Sequence, residues 1–97
     1  MKYSFHPSAK EELTNSVDYY EEIQKGLGLE FSKEVFTTIQ RIIEFPDSWP
    51  NLSKNTRRSR TKRFPYGIIY KVYNNEILIL AVMHFSRKPG YWKDRLK

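Results

Sequence analysis

An α+β fold, a sheet with a helical hairpin packed on one face, follows from three features of this 97-residue sequence. Apolar residues recur at helical spacing through the first half and switch to two-residue alternation after residue 55. The switch is made across one proline-rich loop, "FPDSWPNLSKN" (45–55). Two helical stretches joined by a glycine turn precede it, and three strand-like stretches follow in quick succession. The predicted order is β-α-α-β-β-β, an antiparallel-rich sheet in a single domain spanning residues 1–97.

Each element has its own warrant. "KYSFH" (2–6) is aromatic and alternating, as a short strand is. Pro7 and Ser8 end it, and Ser8 with Glu11 makes a capping-box pattern that predicts a helix over 9–24. Ala9, Leu13, Val17, Tyr20 and Ile23 or Gln24 form its apolar face, with Glu11, Glu12, Asp18 and Glu22 between them. "KGLGLE" breaks that pattern, and a second helix is predicted over 28–45, with Leu27, Phe31, Val35, Ile39 and Ile42 inward and Pro46 as its stop. Trp49 is expected to pin the loop to the body. The three strands are "TRRSRTKRF" (56–64), "YGIIYKVYN" (66–74) and "EILILAVMHF" (76–85), with Asn74-Asn75 at a tight turn because Asn tolerates positive φ. The last strand is apolar on both faces, Ile77 and Ile79 against Leu78, Leu80 and Val82, and is predicted to be central. The first of the three is mostly charged, as an edge or ligand-facing strand is.

Composition narrows the function classes. No cysteine is present, which excludes disulfides, thiolate metal sites and a cysteine nucleophile. The two histidines, His6 and His84, lack ligand spacing, so neither a metal nor a cofactor is expected. The start "MKYSFHPSAKEE" has no signal-peptide core, and no apolar run nears the roughly 20 residues that span a bilayer. A cytoplasmic protein without a membrane partner is therefore expected. The net charge of +6 is unevenly placed: residues 1–50 carry five Lys/Arg against nine Asp/Glu, a balance of −4, and residues 51–97 carry twelve against two, a balance of +10. That asymmetry predicts one face directed at an acidic partner, nucleic acid or acidic protein.

Two stretches concentrate the chemistry. "KNTRRSRTKR" (54–63) holds six cations, and strand alternation places Arg58, Arg60 and Lys62 on one face and Arg57 and Arg63 on the other. Both rows cannot be buried, so this strand is read as facing nucleic acid or an acidic polypeptide, with Arg suited to carboxylate or phosphate forks. A solvated edge that blocks aggregation is the plain alternative. "AVMHFSRKPGYWKDR" (81–95) leaves an apolar strand for Arg87, Lys88, Tyr91, Trp92 and Arg95. Aromatics among cations can stack bases while neutralising phosphates, or Tyr91 and Trp92 can close the open end of the core with the charges outside. His84, at a strand end, is more often hydrogen-bonded structure than a general base.

"RFPYGIIYKV" followed by "ILILAVMHFSRKPGYWKDR" resembles the second half of the RelE/ParE superfamily of bacterial toxins, and "HPSAKEEL" and "GLGLEFSKEV" fit its front half. The resemblance covers essentially the whole chain, and its most specific pieces are Phe64-Pro65-Tyr66 with Tyr70, and Ala81-Val82 with His84, Arg87, Pro89 and Trp92. It implies a toxin of a type II toxin–antitoxin system, bound as a hetero-oligomer by a cognate antitoxin whose acidic segment folds on it. Within the superfamily, ParE-like members poison DNA gyrase and RelE-like members cut mRNA in the ribosome. The "RKPGYW" ending and the long hairpin are similar to the ParE branch, in which Arg87, Lys88, Tyr91, Trp92 and Arg95 would bind the target and no residue would be catalytic. In the ribonuclease branch Arg87, Tyr91, Lys62, Arg63 and His84 would be the catalytic candidates, but the place of one branch arginine is here Gly67. Against both toxin readings stands a third, a basic nucleic-acid-binding module that acts alone.

Overall fold

The computed structural model describes residues 1–53 and 55–96. Lys54, the first cation of the basic run, lies outside the described residues. The order is β1 (Lys2–Phe5), α1 (Pro7–Ile23), α2 (Leu27–Glu44), β2 (Asn51–Ser53), β3 (Thr56–Arg60), β4 (Tyr66–Tyr73) and β5 (Glu76–His84), closed by a 3-10 turn at Lys93–Leu96. The five strands form one sheet in the order β1-β5-β4-β3-β2. β1 runs parallel to β5 and every other neighbouring pair is antiparallel. No helix among the described residues is long and apolar enough to cross a membrane.

The helices begin differently from the expected pattern. α1 starts at Pro7, and the cap is His6, whose Nδ1 accepts the Ser8 N–H at 3.1 Å. Ser8 therefore sits inside the helix and not at its cap, because a proline at the first helical position presets φ and needs no donor. Ile23 is 57 % exposed, so the buried face of α1 ends at Tyr20. The hairpin turn is built by Glu21, whose carboxylate accepts the N–H groups of Gly26 and Gly28 at the start of α2. Gly28 is demanded by the approach of the two helices, since a Cβ there would stand 2.6 Å from the Val17 carbonyl oxygen. α2 buries Phe31, Val35, Ile39 and Ile42 as predicted, adds Thr38, and leaves Leu27 only partly buried against the same cluster.

The helices cover one face of the sheet. Phe31, Val35, Ile39 and Ile42 pack with Ile68, Tyr70, Ile77, Ile79 and Val82, and the rings of Tyr20, Phe31, Phe64 and Tyr66 interlock at centroid distances of 4.7–6.1 Å. Tyr70 carries its hydroxyl through this layer to donate to the Pro46 carbonyl at 2.7 Å, and burial pushes its pKa up to about 12. Trp49 packs against the same cluster, as expected of the residue that holds the loop.

Three strand expectations are corrected. The segment 51–53, read as loop, is the edge strand β2, and β3 is paired on both sides. β3 stops at Arg60 because Thr61 turns back on itself, its hydroxyl donating to the Phe64 carbonyl at 2.6 Å and its N–H to Tyr66. β5 is interior, between β1 and β4, but β4 holds the middle position. The Asn74-Asn75 turn is as expected, with φ of 49° and 59°.

Candidate functional site

β5 is the longest strand, and its upper half is where the basic tail is anchored. β1 accompanies it only as far as Ile79, whose carbonyl accepts the His6 N–H at 2.8 Å before the chain turns into α1. Beyond that point, among the described residues, β5 has no strand paired to it on that side. A bulge at the same place, where Ile69 faces Ala81 and Tyr70 faces Ile79, leaves Leu80 as the extra residue. Backbone groups on an open, partly buried edge must find other partners. Here they are side chains: Glu12 Oε1 accepts the Val82 N–H at 3.0 Å, and Arg95 Nη1 donates to the Leu80 carbonyl at 2.9 Å.

Those two side chains also bind each other. Arg95 forks onto Glu12, Nη1 to Oε1 at 2.8 Å and Nη2 to Oε2 at 3.0 Å, and both side chains are about one-seventh exposed, 15 % and 14 %. The Tyr91 hydroxyl donates to Glu12 Oε2 at 2.6 Å. Arg87 Nη1 lies 3.9 Å from the same oxygen, and its guanidinium stacks 4.0 Å from the Tyr91 ring centre. Burial first, and then the bond to Glu12, raises the Tyr91 pKa well above the ordinary tyrosine value. A phenol so held keeps its proton.

Trp92 closes the face of the sheet opposite the helices. It is 3 % exposed and packs with Ile69, Leu80, Ala81 and Met83, with Leu78, Phe85, Tyr91 and Leu96 around them. Of the five residues predicted to touch a target, Trp92 is thus turned inward and Tyr91 and Arg95 are half-spent on Glu12. Arg87 and Lys88 are exposed. Of the two readings of the indole, target anchor or cover for the open end of the core, its burial against the underside of β5 fits the second.

The basic strand does not present the two rows that alternation implied. Arg57 turns to the helix side, donating from Nη1 to the Trp49 and Asp47 carbonyls at 2.6 and 3.1 Å. Arg63 is in the 61–65 loop, where its Nη1 meets Glu30 Oε1 at 3.0 Å and its N–H meets Glu34. Lys62, in the same loop, is exposed. Among the described cations of the run, Arg58 and Arg60 share the other face, their guanidiniums 5.8 and 4.6 Å from the Phe85 ring centre. Gly67 lies under them: a Cβ there would meet the Arg58 stem at 3.0 Å and Phe85 at 3.1 Å.

Of the ribonuclease candidates, His84 and Arg87 line one cavity with Glu12, Ser16 and Tyr66, and Tyr91 joins them through Glu12 and the stack with Arg87, whereas Lys62 and Arg63 lie apart in the 61–65 loop. Arg63 is tied to α2, Arg87 and Tyr91 to α1 through Glu12, and His84 accepts the Ser86 N–H at Nδ1 while its ring stands edge-on to Tyr66 at 5.0 Å. Among the described residues no group of His, Asp or Glu could hold a metal ion. Glu12 is what the sequence reading passed over, as one more polar-face acid. Its spacing from Ala9 and Ser16 puts it at the border of the buried stripe, which was the available signal.

The sequence profile of the ParE toxin of the type II toxin–antitoxin system parDE matches residues 3–89. Tyr91, Trp92 and Arg95 lie beyond the matched span. No curated sequence matches the chain. Among solved structures, a chain from "Chromosomal ParDE TA system from P. aeruginosa" shares the fold with a TM-score of 0.76 at 18 % identity, over 87 % of this chain and 95 % of that one.

Proposed function

The chain belongs to the ParE toxin family of type II toxin–antitoxin systems, and we propose that it restrains bacterial growth by poisoning DNA gyrase and is neutralised by a cognate acidic antitoxin. The observation that carries the choice of target is the engagement of Tyr91 by Glu12. RNA cleavage by its own 2′-hydroxyl needs a proton donor for the leaving oxygen and free cations at the phosphate. Here the phenol donates into a carboxylate, and the branch arginine is replaced by Gly67, whose space the Arg58 stem and Phe85 occupy. The surface left is one for binding, with Arg87 and Lys88 outward.

The antitoxin would cover the helical hairpin, where Tyr19, Ile23, Leu29 and Phe36 are exposed. An amphipathic acidic segment suits both those side chains and the cations of loop 61–65. Co-expression with a cognate antitoxin gives a complex that survives moderate salt on this reading, and failure to co-purify at any salt refutes it.

The target is tested by adding purified toxin to a gyrase supercoiling assay and to translating ribosomes with a reporter mRNA. Trapped cleaved DNA with intact mRNA is the expected result. Codon-phased mRNA cuts with normal supercoiling would move the activity to the ribonuclease branch. Direct DNA or RNA affinity that falls steeply with salt, with neither effect, would instead mark a binding module acting alone. Arg87→Glu with Lys88→Glu is the informative variant, because both side chains are exposed. Deleting residues 87–97 would also strip Trp92 from the core.

A further inference from the structure

We propose that Glu12 is the positioning residue of the C-terminal segment: its carboxylate holds residues 87–95 across the open edge of β5 and so sets the surface that presents Arg87 and Lys88. The proposal rests on the reading that this segment faces the target. It adds a residue of α1, an element far in sequence from the groups it positions.

One carboxylate receives four hydrogen bonds from three places in the chain, the Val82 N–H, the Tyr91 hydroxyl and both arms of Arg95, with Arg87 at 3.9 Å as a fifth neighbour. Among the described residues Arg87 and Arg95 each form an ion pair with Glu12 and with no other carboxylate. The tail's other attachment, Trp92 on Ile69, Leu80, Ala81 and Met83, is apolar. Apolar burial is non-directional and fixes that the tail docks, not how it is turned. A forked guanidinium–carboxylate pair and a phenol on the same group do fix direction. The Tyr91 ring, held at its hydroxyl by Glu12, is in turn the plate on which Arg87 lies. Orientation passes from α1 through Glu12 and Tyr91 to Arg87.

A plainer role for Glu12 is to satisfy the Val82 N–H at the bulge. Glu12→Gln separates the two. The amide oxygen still accepts from Val82 and from Arg95 Nη1, but the amide nitrogen in the place of Oε2 cannot accept from Tyr91 or Arg95 Nη2, and the charge that assists the fork is gone.

The test compares full-length wild type and Glu12→Gln by hydrogen exchange and by gyrase inhibition. The amides of residues 86–96 should exchange about 10-fold faster, the scale of one lost charge-assisted hydrogen bond, with those of α2 and β4 unchanged and the inhibitory concentration raised about as much. Arg95→Lys, which keeps the charge, should retain more of both signals than Arg95→Gln, and equal loss overturns the charge-based latch. Unchanged tail exchange in Glu12→Gln overturns the proposal whatever the activity. A loosened tail with full inhibition removes Glu12 from target action. In that event Arg87→Glu with Lys88→Glu tells the two failures apart: if it is inactive, only the role of Glu12 falls, and if it inhibits normally, the target-facing reading of the tail falls with it. Should Glu12→Gln fail to fold by circular dichroism, the Arg95 pair of variants reads the same latch from its other end.

Discussion

On one side of the sheet, two helices bury Phe31, Val35, Ile39 and Ile42 against Ile68, Tyr70, Ile77 and Ile79; on the other, a single indole and one carboxylate hold a short irregular tail over Ile69, Leu80, Ala81 and Met83. The helix side is sealed by regular elements whose backbone bonds are internal. The tail side is sealed by contacts made by a few side chains far apart in sequence. Regions held by few contacts open at lower free energy than the core. A surface that must act on another molecule is therefore expected on the tail side, where it can be adjusted without dismantling the fold.

The comparison breaks most directly at its strongest point. Phe31→Ala, at 0 % exposure among four aromatic rings, should cost about 3–5 kcal/mol, a large part of the roughly 5–15 kcal/mol of a whole domain. Urea denaturation should show the transition shifted far toward low denaturant. Trp92→Ala should cost less, up to about 3 kcal/mol, because the tail can undock in place of leaving a rigid cavity. Its exchange should quicken in residues 86–96 while β4 stays protected. Equal losses, with both regions exchanging together, would show that the two sides are one cooperative unit.

Tyrosine ionisation sharpens the same contrast. Burial pushes Tyr20 and Tyr70, on the helix side, up to about 12, and raises Tyr91 on the tail side as well. A raised pKa means that the fold favours the neutral phenol. The resulting stability is complete below the ordinary value near 10 and is lost as pH climbs from about 10 through 12. Absorbance at 295 nm should show these phenols ionising late, together with an alkaline unfolding transition in that window. Tyr70→Phe should flatten the pH dependence there, and an unaltered profile would count against its burial.

The smallest effect concerns the start of the helix that carries Glu12. His6→Ala should lose about 0.5–1 kcal/mol as a removed cap, whereas Ser8→Ala should stay within about 0.5 kcal/mol. Thermal melts that rank the two the other way would restore the capping box expected from the spacing of Ser8 and Glu11.

Much of this architecture was legible before any coordinates. Leu27, Phe31, Val35, Ile39 and Ile42 repeat at helical spacing, Asn74-Asn75 permits the positive φ of its turn, and the charge is divided along the chain. Each is a property of residues close in sequence. The basic strand was misread beyond Arg60 because Thr61 bonds to Phe64 and Tyr66 and so ends the alternation that put Lys62 and Arg63 in rows. A hydroxyl leaves no mark in a hydrophobic pattern.

The candidate site divides in the same way. Arg87, Lys88, Tyr91, Trp92 and Arg95 were recognisable as a cluster, and the kinship with ParE toxins was readable from motifs lying within a few residues of one another. Which of them face outward was decided by pairings across 79 and 83 residues, Tyr91 and Arg95 to Glu12, and by a bulge at Leu80 that exists only against β4. Backbone conformation answers to neighbours along the chain. A buried carboxylate finds its cations by where the packed sheet and helix bring them, and that is set by the whole fold at once.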